Sequence, residues 1–368
     1  PEYTLLGKIE KSKTTNLENL LEYENNSTTI SHSTNKQILE ANDLMYLNTH
    51  EPFCLVTCGV QGSGKSHTVG CMLEGCLLNF PESDVTRLQS SMTALVLHYD
   101  QNVTSVCEAT GLISAHPELR RILGVERSVP RERMTVLVSP SYYKQRRAFY
   151  GSYCDVKPLL FRWSSLTADH IKRIMRIQDT DNQLYVSVML TVLRQYQRAG
   201  VIPEFNEFVA TLREMCSSMQ NGPLTQRMAL LESLILESDV NKAFASEGSD
   251  LMKSCVPGQL VVVDLTDPML SKDEANGIFQ VLTEQFRAMP VTRTAGKLLV
   301  LDEAHALKDP KGNQLQHVLR QPGQHRTDTD DRQGRQHQRL ASIQITQTPK
   351  NQDGDGRRQK VGRAHPGI

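Results

Sequence analysis

The chain has 368 residues, 39% of them hydrophobic, and its 41 Lys and Arg balance 41 Asp and Glu. That is enough to bury a large core in two or three domain-sized units, while a net charge of zero leaves any nucleic-acid surface to a local patch. No apolar run approaches the roughly 18 residues of a membrane span and no signal-peptide pattern is present, so the expectation is an intracellular protein, in cytoplasm or nucleus, with no membrane partner. A start at Pro1 points to a fragment of a longer protein, whose upstream segment could hold a targeting signal. The eight cysteines form no C-x-x-C pair and stand near no His at finger spacing, so they are expected to be reduced packing residues rather than zinc ligands or disulfides.

Residues 1–40 are rich in Asn, Thr, Ser, Glu and Lys, with short apolar clusters such as Leu17, Leu20 and Leu21, and are expected to form a flexible polar leader. Residues 43–48 suggest a small strand leading through a turn at 49–52. The run FCLVTC at 53–58 is then expected to enter a buried parallel sheet. The next eight residues, Gly59-Val60-Gln61-Gly62-Ser63-Gly64-Lys65-Ser66, fit G-x-x-x-x-G-K-[ST] at every fixed position. They stand directly before Val69, Met72, Leu73, Cys76 and Leu77 at helical spacing, a context that separates them from a chance match in a glycine-containing turn. Glycines at 62 and 64 let successive N–H groups turn inward around phosphate oxygens at a helix N-terminus. The expected nucleotide-binding set is therefore Gly59, Val60, Gln61, Gly62, Ser63, Gly64, Lys65, Ser66 and His67. Lys65 is expected to reach the β- and γ-phosphates and to act catalytically, and Ser66 to ligate the metal, with ATP and Mg2+ as cofactors.

A second apolar strand over 94–99 ends in Asp100, which either faces a ligand at the carboxyl end of the sheet or caps the next turn. Residues 134–138 form a third strand, stopped by Ser139-Pro140. The loop after it carries Tyr142, Tyr143, Arg146, Arg147, Tyr150 and Tyr153, an interleaving that suits a nucleic-acid strand and is equally ordinary on a protein surface. From 167 to 241 the periodicity turns helical. Helices at 168–177, 184–196, 205–219 and 224–237, broken near 179–181, at Gly200 with Pro203 and at Gly222-Pro223, predict a helical insertion.

The sheet resumes over 259–264 and a helix follows at 272–287. Residues 297–302 then give an apolar strand ending in Asp302 and Glu303. At that position Asp302 is expected to hold a metal-bound water and Glu303 to orient and deprotonate the attacking water as the catalytic base. Asp264 ends a similar strand and is a rival for the metal role, but only Asp302 is followed by a second acid. Beyond 309 the chain is crowded with Gln, Arg, Asp, His and Gly, with apolar patterning only at 340–345. The expected organisation is a leader over 1–40, an α/β domain with a largely parallel sheet over 41–308 and a helical insertion at about 167–241. A tail over 309–368 is expected to be disordered or not the natural continuation of the domain.

With these motifs placed, the chain resembles the HerA/FtsK-like branch of P-loop ATPases over about 45–308, including uncharacterised fungal members. The resemblance implies a RecA-like core, ATP hydrolysis driving motion along DNA, and a homo-hexameric ring in which a neighbouring subunit's arginine completes each site. It implies the loop roles for Gly59, Gly62, Gly64, Lys65 and Ser66 and the acidic roles for Asp302 and Glu303. It further implies a later polar strand that senses the γ-phosphate, which Thr346-Gln347-Thr348-Pro349 matches only faintly. Asp302-Glu303-Ala304-His305 also spells the box of superfamily 2 helicases, but too little chain follows His305 for a second RecA-like domain. A different alternative is a nucleotide-dependent switch or scaffold with little turnover.

Overall fold

The computed structural model describes residues 2–8, 44–60, 62–79, 86–115, 128–151, 153–177, 183–200, 203–244, 256–290, 296–302 and 340–347. The unbroken apolar runs become β5 (Thr93–His98), β6 (Met134–Val138), β8 (Leu260–Asp264) and β9 (Lys297–Leu301), each buried at every residue as strands covered on both faces must be. Together with β3 (Cys54–Gly59), β7 (Asp155–Pro158) and β10 (Leu340–Gln347) they form one seven-stranded sheet, ordered β3-β10-β9-β5-β8-β6-β7. All its pairings are parallel. This is a parallel α/β sheet in which one strand, β10, separates the strand before the glycine-rich loop from β9, which Asp302 follows.

Three expectations need correction here. The run before the loop was expected to be buried, but β3 is the outermost strand of the sheet, with Cys54, Val56 and Cys58 exposed in alternation with half-buried neighbours. The leader over 1–40 was expected to be flexible throughout, yet β1 (Tyr3–Lys8) pairs antiparallel with β2 (Leu44–Asn48) and with β4 (Thr86–Arg87) in a separate three-stranded sheet. A short strand gains its stability from partners far along the chain, which the polar average of 1–40 conceals. The tail over 309–368 was expected to be disordered or not the natural continuation of the domain, yet its residues Leu340–Gln347 are β10, inserted between β3 and β9.

One face of the large sheet is covered by α1 (Lys65–Leu77), the 3-10 turn Glu108–Ile113 and α2 (Tyr143–Tyr150). Their Leu73, Cys76, Ala109, Tyr143 and Tyr150 pack with Ala94, Val96, Val262, Leu298 and Val300. The other face is covered by α3 (Ala168–Ile174), α4 (Leu184–Ala199), α5 (Phe205–Met215), α6 (Ser218–Leu234) and α7 (Lys272–Ala288) against Leu95, Leu97, Val261, Leu299 and Leu301. The helical insertion thus completes a second layer of core. Its third break falls before Ser218 rather than at Gly222-Pro223, because Ser217 and Gln220 form a reciprocal capping box that starts α6 early. Pro223 is accommodated inside the helix, where its missing N–H frees only the carbonyl of Met219, a highly exposed residue. Lys297, apolar in context and fully buried, donates from Nζ to the carbonyls of Phe286 (2.9 Å), Arg287 (2.8 Å) and Met289, capping the C-terminus of α7 with a charge.

Helices α3 and α7 meet at Gly277. A Cβ there would stand 2.6 Å from the carbonyl oxygen of Arg173, a backbone atom that no rotamer change can move. Alanine gains about 1 kcal/mol over glycine inside a helix, whereas overpacking of this kind costs about 1–3 kcal/mol. Gly277→Ala is therefore expected to lower the urea midpoint, a net loss of up to about 2 kcal/mol by those two terms. An unchanged or raised midpoint would show that the two helices part freely.

Candidate functional site

The loop after β3 is shaped by backbone geometry alone. Gly62 and Gly64 have φ of 80° and 82°, in the left-handed region, and Gly64 immediately precedes α1. Ser63 N–H donates to the Val60 carbonyl (3.2 Å) and Thr68 N–H to that of Gly64 (2.9 Å), so the chain winds tightly into the helix. Lys65 folds back, its Nζ 3.0 Å from the Val60 carbonyl oxygen. Ser66 is half-buried in the first turn and His67 is exposed there, its Nε2 3.7 Å from Cys71 Sγ. The first turn of α1 carries no acid that would repel an anion. Gln61 lies outside the described residues.

The second half of the site comes from the carboxyl ends of β5, β9 and β8. Asp264 is paired in register with His98, and Asp302 follows Leu301, the partner of Leu97, so three polar residues cap three adjacent strands. Asp302 N–H donates to the Leu97 carbonyl (2.9 Å), and its buried carboxylate accepts at Oδ2 from His98 Nδ1 (2.8 Å) and the Cys107 thiol (3.8 Å). Burial alone would push the His98 imidazole down, but the bond and charge of Asp302, helped by Asp264 and Asp100, lift it above its ordinary value. Burial, reinforced by the Asp302 charge, holds the Cys107 thiol well above its ordinary value. Glu303 and His305 lie outside the described residues. Between β3 and β9, the register of β10 sets Thr346 beside Cys58 and Gln347 beside Gly59, at the start of the loop.

Asp264 is fully buried and already engaged. Its Oδ2 pairs with the guanidinium of Arg146 and accepts from Tyr150 OH (2.5 Å), while Oδ1 accepts from Thr266 N–H (2.9 Å). A metal role for it gives way to this structural one. Asp100 accepts from Asn102 N–H (2.9 Å), the turn-capping role. The Tyr- and Arg-rich segment is helix α2 rather than a loop, and its Tyr143, Arg146 and Tyr150 face inward. Sequence reading missed His98, Cys107 and the inward turn of Arg146. The detectable signal was that the buried strand over 94–98 closes on a histidine, as β8 and β9 close on aspartates.

The residues present suit a Mg2+-bound nucleotide: a left-handed glycine pair at a helix N-terminus, a lysine and a serine in its first turn, and a buried carboxylate one strand away. No protein-family model matches the chain, and no curated protein matches it. The chain is similar in structure to the bacterial conjugative coupling protein TrwBdeltaN70 in its unbound monoclinic form, at 14% identity over 80% of this chain and 62% of that one, with a TM-score of 0.38. TrwB in complex with ADP and Mg2+ gives 13% identity, 80% and 64% coverage and a TM-score of 0.39. VirB4 of Thermoanaerobacter pseudethanolicus gives 14%, 80%, 69% and 0.35. The chain spans less than two thirds of the TrwB structures. No helix among the described residues is long and apolar enough to cross a membrane.

Proposed function

We propose that this chain is a Mg2+-dependent P-loop ATPase whose ATP hydrolysis is coupled to translocation along, or remodelling of, DNA. The observation that carries the nucleotide half is the left-handed pair Gly62 and Gly64 between β3 and α1, one strand removed from β9 and its terminal Asp302. In this reading the backbone N–H groups of 59–67 cradle phosphate oxygens, and Lys65 leaves the Val60 carbonyl to place its ammonium against them. Ser66 and Asp302 hold the metal, directly and through a water. The metal's contribution is to neutralise charge on the phosphate oxygens. Glu303 orients and deprotonates the attacking water. DNA coupling, and assembly into a homo-hexamer whose neighbouring arginine completes the site, rest on the motif resemblance.

Titration of ATP·Mg2+ is expected to show Lys65→Ala weakened by about 2 kcal/mol, roughly 30-fold, for loss of a charge-assisted phosphate contact. Unchanged affinity would remove the loop as the site. Glu303→Gln is expected to bind ATP normally and turn over at least ~10²-fold more slowly. Turnover of the parent protein with and without DNA separates the readings: no turnover supports a switch, and turnover indifferent to DNA removes the motor.

A further inference from the structure

We propose that His98, Cys107 and Asp302 form a binding site for a borderline-soft divalent ion of the zinc class, distinct in its donor set from the Mg2+ that accompanies a nucleotide and sharing Asp302 with it. The three residues arrive from the end of β5, from the residue before the 3-10 turn Glu108–Ile113 and from the residue after β9. All are buried, and one donor atom from each lies within 4.8 Å of the others. Cys107 and His98 are 195 and 204 residues from Asp302 in sequence, which is why no zinc spacing is legible in the chain.

The donor set selects the ion. A thiolate and an imidazole suit zinc-class metals, whereas Mg2+ and Ca2+ take oxygen ligands. In a tetrahedral shell with bonds of about 2.0–2.3 Å, neighbouring donors stand about 3.3–3.8 Å apart. Here the separations are 2.8 Å from His98 Nδ1 to Asp302 Oδ2 and 3.8 Å from Cys107 Sγ to the same oxygen, with the imidazole and thiol donors within 4.8 Å, so adjustment of the three side chains, the shortest edge widening, brings the donors to those spacings. One thiolate and one carboxylate balance a charge of two, and a neutral cluster is what a buried site tolerates. The backbone fixes the donors: Asp302 is tied to Leu97 (2.9 Å), and the Cys107 carbonyl accepts from both the N–H (3.0 Å) and the hydroxyl (2.8 Å) of Thr110. Three protein donors leave a fourth position open. If Asp302 also serves the nucleotide's metal, a consequence that rests on the function proposed for the loop, occupancy of this site draws the carboxylate away and slows ATP turnover.

Titration of the full, reduced chain with Co2+ tests the site without reference to activity. One equivalent is expected to give a thiolate-to-cobalt band in the near ultraviolet and visible bands of four-coordinate intensity, all displaced by Zn2+. Cys107→Ser should lose the near-ultraviolet band, Cys54→Ser and Cys58→Ser should keep it, and His98→Ala should weaken Co2+ at least ~10-fold, as loss of a ligand requires. A band that survives Cys107→Ser, or none in the parent, overturns the proposal. Should Cys107→Ser fail to fold, X-ray absorption of the zinc-loaded parent decides: one sulfur with nitrogen and oxygen neighbours supports the site, and a shell without sulfur overturns it. An ATP·Mg2+ titration of the same samples keeps the two readings apart, since a failed cobalt site leaves Lys65-dependent binding untouched.

Discussion

A chain ending at residue 339 is expected to lose its cooperative thermal transition or to unfold many degrees earlier, and to lose ATP affinity with it. β3 is the outermost strand of the seven-stranded sheet, so β10 is its ladder partner there, in register from Ser342 beside Cys54 to Gln347 beside Gly59. On its other side β10 pairs with β9 from Leu340 beside Lys297 to Gln344 beside Leu301. Removing β10 strips the strand that launches the glycine-rich loop of its partner in the sheet and opens an edge on the strand that ends in Asp302. At about 1 kcal/mol per net hydrogen bond, ladders of six and five registered pairs are together worth on the order of the whole stability of many domains. A chain ending at residue 347 should behave like the full protein. If the chain ending at 339 melts and binds ATP as the full chain does, β10 does not belong to the domain.

The parts of this fold that were legible in the sequence are those where one local constraint suffices. The turn at 59–66 needs glycines because the backbone is left-handed at Gly62 and Gly64, and β5, β6, β8 and β9 need apolar runs because both faces are covered. β10 escaped because Leu-Ala-Ser-Ile-Gln-Ile-Thr-Gln is half polar and stands amid residues with no apolar pattern, so only its long-range pairing marks it as central. β3 misled in the opposite direction, since FCLVTC looks like a core strand and yet lies at the edge. Glu303 lies outside the described residues, and Asp302 was legible as the acid that follows a buried apolar strand. Its support by His98 and Cys107 was not, since that depends on β5 lying beside β9 in the sheet. Arg146 was misjudged for a similar reason: arginine on a Tyr-rich segment suggests surface until the fold places Asp264 beneath it.

Arg146→Met is expected to destabilise the protein by about 3–5 kcal/mol, the usual cost of removing one partner of a buried ion pair. Arg146 is 1% exposed and Asp264 0%. The guanidinium pairs with Asp264, donates to the carbonyls of Val103 (3.0 Å) and Ser105 (2.9 Å), and stacks 4.6 Å from the Phe149 ring centroid. Methionine fills much of the volume but leaves the Asp264 carboxylate, among the described residues, with Tyr150 OH and Thr266 N–H to satisfy a buried charge. The loop over 103–105, which leads to Cys107, also loses its tether. The charge and the tether can be told apart, because Asp264→Asn removes the charge while its amide oxygen still accepts from Thr266 N–H and its amide nitrogen faces the Tyr150 hydroxyl, which can turn to accept. In the double variant Arg146→Met with Asp264→Asn, urea unfolding should recover at least half of the loss, giving a coupling energy on the order of 2 kcal/mol. Additive effects of the two changes would show that the uncompensated carboxylate is not the cause. A single-variant loss below about 1 kcal/mol would mean that Arg146 and Asp264 do not form a buried ion pair in solution.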